Sequence, residues 1–236
     1  MKSFVFAFLL IVSATYALDI DLSIEKTFVT EPLYFHYNDT IREFSTEILN
    51  SGSLPYVSQF RVDVLKNGTV FTAWSERKIF MPGNSGFFQL YWVPEMAGNY
   101  TTRYRVYYSG EVNETLRSIM VKDIHAAEDV FNVTLVNVFD NFIILEVKSG
   151  VDAERAVVIP HDYSQGMWIS QKTLSLKAGQ AKKVLLSYSS PVQNQQIKIT
   201  VASEDGKHVS TATLKLEEDK TLKEKILRAF FSLLDK

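Results

Sequence analysis

Apolar and polar residues alternate with period 2 through most of the chain. Phe60, Val62 and Val64 alternate with Arg61 and Asp63; Tyr104, Val106 and Tyr108 alternate with Arg103, Arg105 and Tyr107. Successive side chains of a strand point to opposite faces, so this spacing predicts half-buried antiparallel strands. Turn residues punctuate the runs at Asn50-Ser51-Gly52, Met81-Pro82-Gly83-Asn84, Pro94 to Asn99 and Ser109-Gly110. Roughly seven strands before residue 122 fit a small β-sandwich. Residues 123–129 form a polar linker with room for one helical turn. The alternation then restarts. Strands are predicted at 131–138, 142–147, 156–159, 172–176, 182–188, 196–202 and 209–216, with glycines and prolines between them. That is a second sandwich of ~90 residues, an ordinary domain size.

The two ends break the pattern. Lys2, the apolar run Phe4 to Val12 and the small-residue exit ending at Ala17 have the three parts of a secretory signal, with cleavage expected after Ala17. The apolar stretch is shorter than the ~20 residues that span a bilayer. At the other end, Thr221 and Glu224 have the spacing of a helix capping box. Leu222, Ile226, Phe230, Leu233 and Leu234 follow at helical spacing, and Phe231 widens the stripe. This predicts an amphipathic helix over 217–236. Those six side chains are candidate contacts with the second sandwich, with a partner's groove, or with a lipid interface as a peripheral membrane contact.

Asn67-Gly68, between two alternating runs, predicts a two-residue hairpin turn, because both central positions of such a turn need φ > 0. With Thr69 it is also an acceptor for N-linked sugar. Asn38, Asn67, Asn99, Asn113 and Asn132 each stand two residues before a Thr. Five such sites among ten asparagines exceed the roughly one expected at ordinary Ser/Thr frequencies. With an export signal they predict an N-glycosylated, extracytoplasmic protein. Nothing after Asn132 can carry N-linked sugar, so the second sandwich and tail are expected to face the partner or membrane. The absence of cysteine, with abundant acceptor sites and a short signal, suggests an archaeal surface protein, with a eukaryotic secreted protein second.

Apolar content of 46% is enough for real cores, and a net charge of −2 without a basic stripe argues against nucleic acid as a partner. The chain lacks G-x-S-x-G, H-E-x-x-H, P-loop and G-x-G-x-x-G patterns. Its four histidines have no metal-ligand spacing. No catalytic, cofactor-binding or metal-binding residue is assigned, and the expectation is a protein that is not an enzyme. Tyr34, Phe35, Tyr37, Phe87, Phe88, Tyr91, Trp92 and Trp168 could form a sugar-stacking platform, but alternation puts about half of them in a core.

The stretch Leu90 to Tyr100, LYWVPEMAGNY, together with ILNSGS at 48–53 and FRVDVLKNGTVF at 60–71, resembles the Ig-like domains of archaeal and bacterial surface proteins, the CARDB (cell-adhesion-related) type nearest among them. Residues 130–216, with LSLKAGQAKKVLLSYS, are similar to a second domain of that broad kind. The resemblance implies extracellular, non-catalytic work and fixes no ligand. The expected architecture is all-β: two tandem Ig-like antiparallel sandwiches, at 18–122 and 130–216, with a C-terminal amphipathic α-helix. The expected function is adhesion, or an accessory role in an envelope assembly, with a cell-envelope protein or a surface glycan as partner. A carbohydrate-binding module and a two-domain extracytoplasmic chaperone are the alternatives.

Overall fold

The structure is a computed structural model that describes residues 27–37, 39–125, 127–139, 141–161, 167–189 and 195–216. The first half folds as nine strands: β1 (Thr27–Val29), β2 (Leu33–Tyr37), β3 (Ile41–Asn50), β4 (Tyr56–Leu65), β5 (Thr69–Trp74), β6 (Lys78–Phe80), β7 (Ser85–Trp92), β8 (Gly98–Tyr108) and β9 (Glu111–Val121). In one sheet β3 is central, with β1 and β2 along one side and β7 on the other. The second sheet has the order β5-β4-β8-β9, with β6 beside the start of β4. The core between them is aromatic. Phe44 meets Tyr104 edge-on at 5.8 Å, and Phe60 lies near-parallel to Tyr104 at 6.3 Å.

Two turns show how local sequence sets this half. Tyr100 opens β8, and its hydroxyl donates to the Met96 carbonyl at 2.7 Å, while its ring meets Trp92 edge-on at 5.0 Å. This is the tyrosine corner of immunoglobulin-like sandwiches, so the Trp92 to Tyr100 motif serves the fold. The Asn67 turn differs from its expected form. Leu65 pairs with Thr69, leaving a three-residue tip and a bulge in β5. Asn67 (φ 53°) and Gly68 (φ 129°) still both have positive φ, but Lys66 N–H donates to the Gly68 carbonyl and closes a wider loop. The two-residue hairpin turn is found instead at Ser109-Gly110, where Tyr108 pairs with Glu111.

The second half adds β10 (Phe131–Val138), β11 (Phe142–Ser149), β12 (Ala153–His161), β13 (Trp168–Ile169), β14 (Lys172–Leu176), β15 (Ala181–Ser189), β16 (Gln195–Ser203) and β17 (Val209–Leu216). Its sheets have the orders β10-β11-β15-β13 and β14-β12-β16-β17. All strand pairings in both halves are antiparallel. The expected fold class needs one correction: every described element is a strand, and no helix belongs to the architecture among the described residues. The helix expected at 217–236 lies outside them. Its basis is a capping box and local periodicity, and most helical stability in proteins comes from what an amphipathic face packs against, which local sequence does not specify.

β12 joins the two halves. Ala156 and Val158 fill the second core, while Val157 and Ile159, pointing the other way, pack with Ala202 into the core of the first half. A strand buried on both faces reads as a continuous apolar run, which is the pattern of Ala156-Val157-Val158-Ile159.

Candidate binding site

The site grows from the seam between the sandwiches. Among the described residues β7 pairs only with β3, so its far side presents backbone groups without a strand partner there. Gln171, just before β14, covers that edge. Its Nε2 donates to the Tyr91 carbonyl and its Oε1 accepts from Tyr91 N–H, both at 2.7 Å and buried. Its own N–H donates to the Trp74 carbonyl at 3.0 Å. One carboxamide thus does the work of a neighbouring strand and ties the halves together at the ends of β5 and β7.

A polar chain runs beside this clamp. Buried Glu43 accepts from the Tyr37 hydroxyl at 3.0 Å and from Gln89 Nε2 at 2.9 Å. Arg155 then donates to Gln89 Oε1 at 2.7 Å and to Glu204 Oε1 at 2.5 Å, and the Tyr91 hydroxyl donates to the same Glu204 oxygen at 3.3 Å. Burial pushes the Tyr91 phenol far up, with Glu43 adding to it, so it stays a neutral donor. Lys172 pairs with Glu76 at 2.8 Å, and Lys198 pairs with Glu95 across the same seam.

The seam opens at one end into a groove of about 440 Å³ lined by side chains of both halves. Trp74 ends β5, and Tyr107 on β8 lies near-parallel to it at 5.5 Å. Trp168 of β13 stands 6.5 Å from Trp74. Arg61 sits over the Trp74 ring at 4.8 Å and Arg77 over the Trp168 ring at 5.2 Å. Asp63, buried in an outward-facing position, organises this surface. It holds Arg61 at 2.8 Å, the Thr72 hydroxyl at 2.8 Å and Arg105 at 3.4 Å. Such a surface can take a flat apolar face against its rings and an anion against its guanidinium groups.

Asn67, Asn99, Asn113 and Asn132 are all exposed. Asn67 and Asn99 border one open hollow at the end of the first sandwich, Asn113 lies on edge strand β9, and Asn132 on edge strand β10. Asn38 and the six tail positions, Leu222, Ile226, Phe230, Phe231, Leu233 and Leu234, lie outside the described residues. Of the eight aromatics considered for a platform, Phe88, Tyr91 and Trp92 are core. Phe35 and Phe87 are exposed on another sheet, and only Trp168 borders the groove. Trp74, Tyr107 and Arg77 were not foreseen. The available signal was phase: Phe71 and Ala73 mark the core face of β5, and Tyr104 and Val106 that of β8, so Trp74 and Tyr107 are aromatics on the solvent side.

No protein-family model matches the chain, and no curated protein matches it, so the CARDB-type resemblance stays a likeness of motifs. Among solved structures it is similar to red sea bream transglutaminase, at 12% identity and a TM-score of 0.30 over 80% of this chain and 31% of that one. A biofilm-associated protein BSP domain aligns at 15% identity and 0.26, over 81% and 30%. A two-domain fibronectin type III segment from chicken tenascin aligns at 12% and 0.24, over 79% and 98%. The chain thus spans under a third of the first two proteins. At these values the likenesses assign neither family nor activity.

Proposed function

We propose that the chain is an extracytoplasmic, non-catalytic binding protein of the cell surface whose two sandwiches act as one unit. The observation that carries this reading is the composite groove. Trp74 and Tyr107 come from one sandwich and Trp168 from the other, so the binding surface exists only while the seam is closed. A seam built from Gln171, the Glu43–Arg155–Glu204 chain and β12 favours a fixed geometry over two domains on a free linker. Exposed acceptor asparagines agree with a glycosylated surface protein, and the partner is a surface glycan or an envelope protein.

Binding of the labelled full chain to isolated envelopes of its native host tests this. The wild-type chain should bind saturably, and Trp168→Ala should lose most of that binding while melting near the wild-type temperature. Undiminished binding by a folded Trp168→Ala chain would move the function away from the groove.

A further inference from the structure

We infer that the groove at the junction binds an acidic saccharide, its ring lying on the Trp74–Tyr107–Trp168 surface and its carboxylate held by Arg77. This names the ligand class for the binding reading above and rests on it.

Three observations converge. The first is shape: about 440 Å³, bounded by rings from both sandwiches, is within the ~300–1,000 Å³ of small-ligand sites. The second is the lining. Trp74 is stacked on Tyr107 and lies under Arg61, which hold it firmly beside the half-buried Trp168, and this apolar lining suits the C–H face of a pyranose. Firmness matters because a weak, small ligand cannot offset the ordering of loose side chains.

The third is charge. Cross-strand register places Trp74, Arg61, Arg105 and Glu114 in one row across the outer face, with Thr72, Asp63 and Arg103 in the next. With Arg77 at the groove, this face carries Arg61, Arg77, Arg103 and Arg105 against Asp63, Glu111 and Glu114. Asp63 is occupied by Arg61 and Arg105, Glu114 by Arg105 and, more loosely, Arg103. Glu111 also lines the groove, beside Tyr108, whose phenol burial and Glu111 together push up. Arg77 is exposed and makes no ion pair among the described residues, and its guanidinium lies over the face of Trp168. Its planar fork matches a carboxylate bidentately, and its place over Trp168 at the groove keeps it within reach of a ligand bound there. A neutral sugar would leave this cation unused.

Trigalacturonate and sialyllactose, with methyl-esterified trigalacturonate and lactose as their uncharged counterparts, are titrated into the full chain and followed by tryptophan fluorescence and calorimetry. At least one acidic sugar should bind and its uncharged counterpart should bind ~10-fold more weakly, the size of one charge-assisted contact. Arg77→Gln should remove that preference while leaving the melting temperature unchanged, since Arg77 is exposed. Trp168→Ala should abolish binding of both forms. Equal binding of acidic and uncharged sugars, or an acid preference that survives Arg77→Gln, would overturn the acidic-ligand inference while leaving the groove as a binding site. A groove that binds none of the four sugars, in a chain that still binds envelopes through Trp168, would overturn the saccharide and point to a protein ligand. Loss of both would overturn the binding reading itself.

Discussion

Gln171 has an influence out of proportion to its size. A buried edge strand must find partners for its N–H and C=O groups, since each unpaired group costs about 1–3 kcal/mol. At Tyr91 both groups are met by one side chain from the other sandwich. Gln171→Met keeps the volume and removes both bonds, so it should destabilise the chain by roughly 2–4 kcal/mol in urea unfolding. Gln171→Glu should cost at least as much, because it exchanges the Nε2 donor for a buried charge. Were Gln171→Met neutral, water would be reaching Tyr91, and the seam would be looser than its geometry indicates. Nothing in the local sequence marks this residue. Gln171 sits between two strands as an ordinary polar loop position, and its role exists only because β7 lies opposite.

Among the elements, β12 couples the two sandwiches. Val158 and Ile159 are neighbours in sequence and point into different cores. Each large-to-small change there removes buried contacts and leaves a cavity, and Ile→Ala changes typically cost about 2–5 kcal/mol. Val158→Ala should weaken the second sandwich alone and keep a single thermal transition. Ile159→Ala should weaken the first core and the seam together, separating unfolding into two calorimetric steps. A single, merely lowered transition for Ile159→Ala would mean that the polar clamp alone couples the halves. The strands themselves were legible, because alternation is a local property: the predicted runs at 131–138, 172–176 and 209–216 coincide with β10, β14 and β17. The double burial of β12 was less so, since Val157-Val158-Ile159 fits any buried strand and does not say what covers its second face. Edge strands were invisible for the same reason. Among the described residues β9 is a free edge with Val112, Leu116 and Met120 exposed on one face. That Asn113, the acceptor expected from sequence, lies where a sugar would block pairing with another chain emerges only from the sheet order.

Across the whole molecule, the seam carries a charge pair whose strength depends on pH. Glu95, in the turn between β7 and β8, accepts a hydrogen bond from Lys198 of β16 in the other sandwich. That bond, opposed by partial burial and aided by the charges of Lys198 and His161, lowers the Glu95 pKa below its ordinary 4.5. A carboxylate whose pKa is depressed by folding contributes stability that is fully present above its unfolded value and is lost as pH falls through the folded one. The pair should therefore hold at neutral pH and fail progressively below about 4.5. Its contribution is small, because Glu95 is largely exposed and screened by solvent. Acid stability of the wild type alone would not isolate it. Desolvation raises the Asp205 pKa, but bonds from Ser203 and Lys207 outweigh it and lower that carboxyl too, so it loses stability in the same direction. The difference between wild type and Lys198→Met removes this background. That difference should be constant from pH 7 to pH 5 and shrink progressively as pH falls below about 4.5 and through the lowered folded pKa of Glu95. Raising salt to ~1 M should shrink it at neutral pH as well, since exposed pairs are screened at that strength. A difference that stays unchanged however far the pH falls below 4.5 while the chain remains folded would show that Lys198 supports the seam through the packing of its stem rather than through its charge.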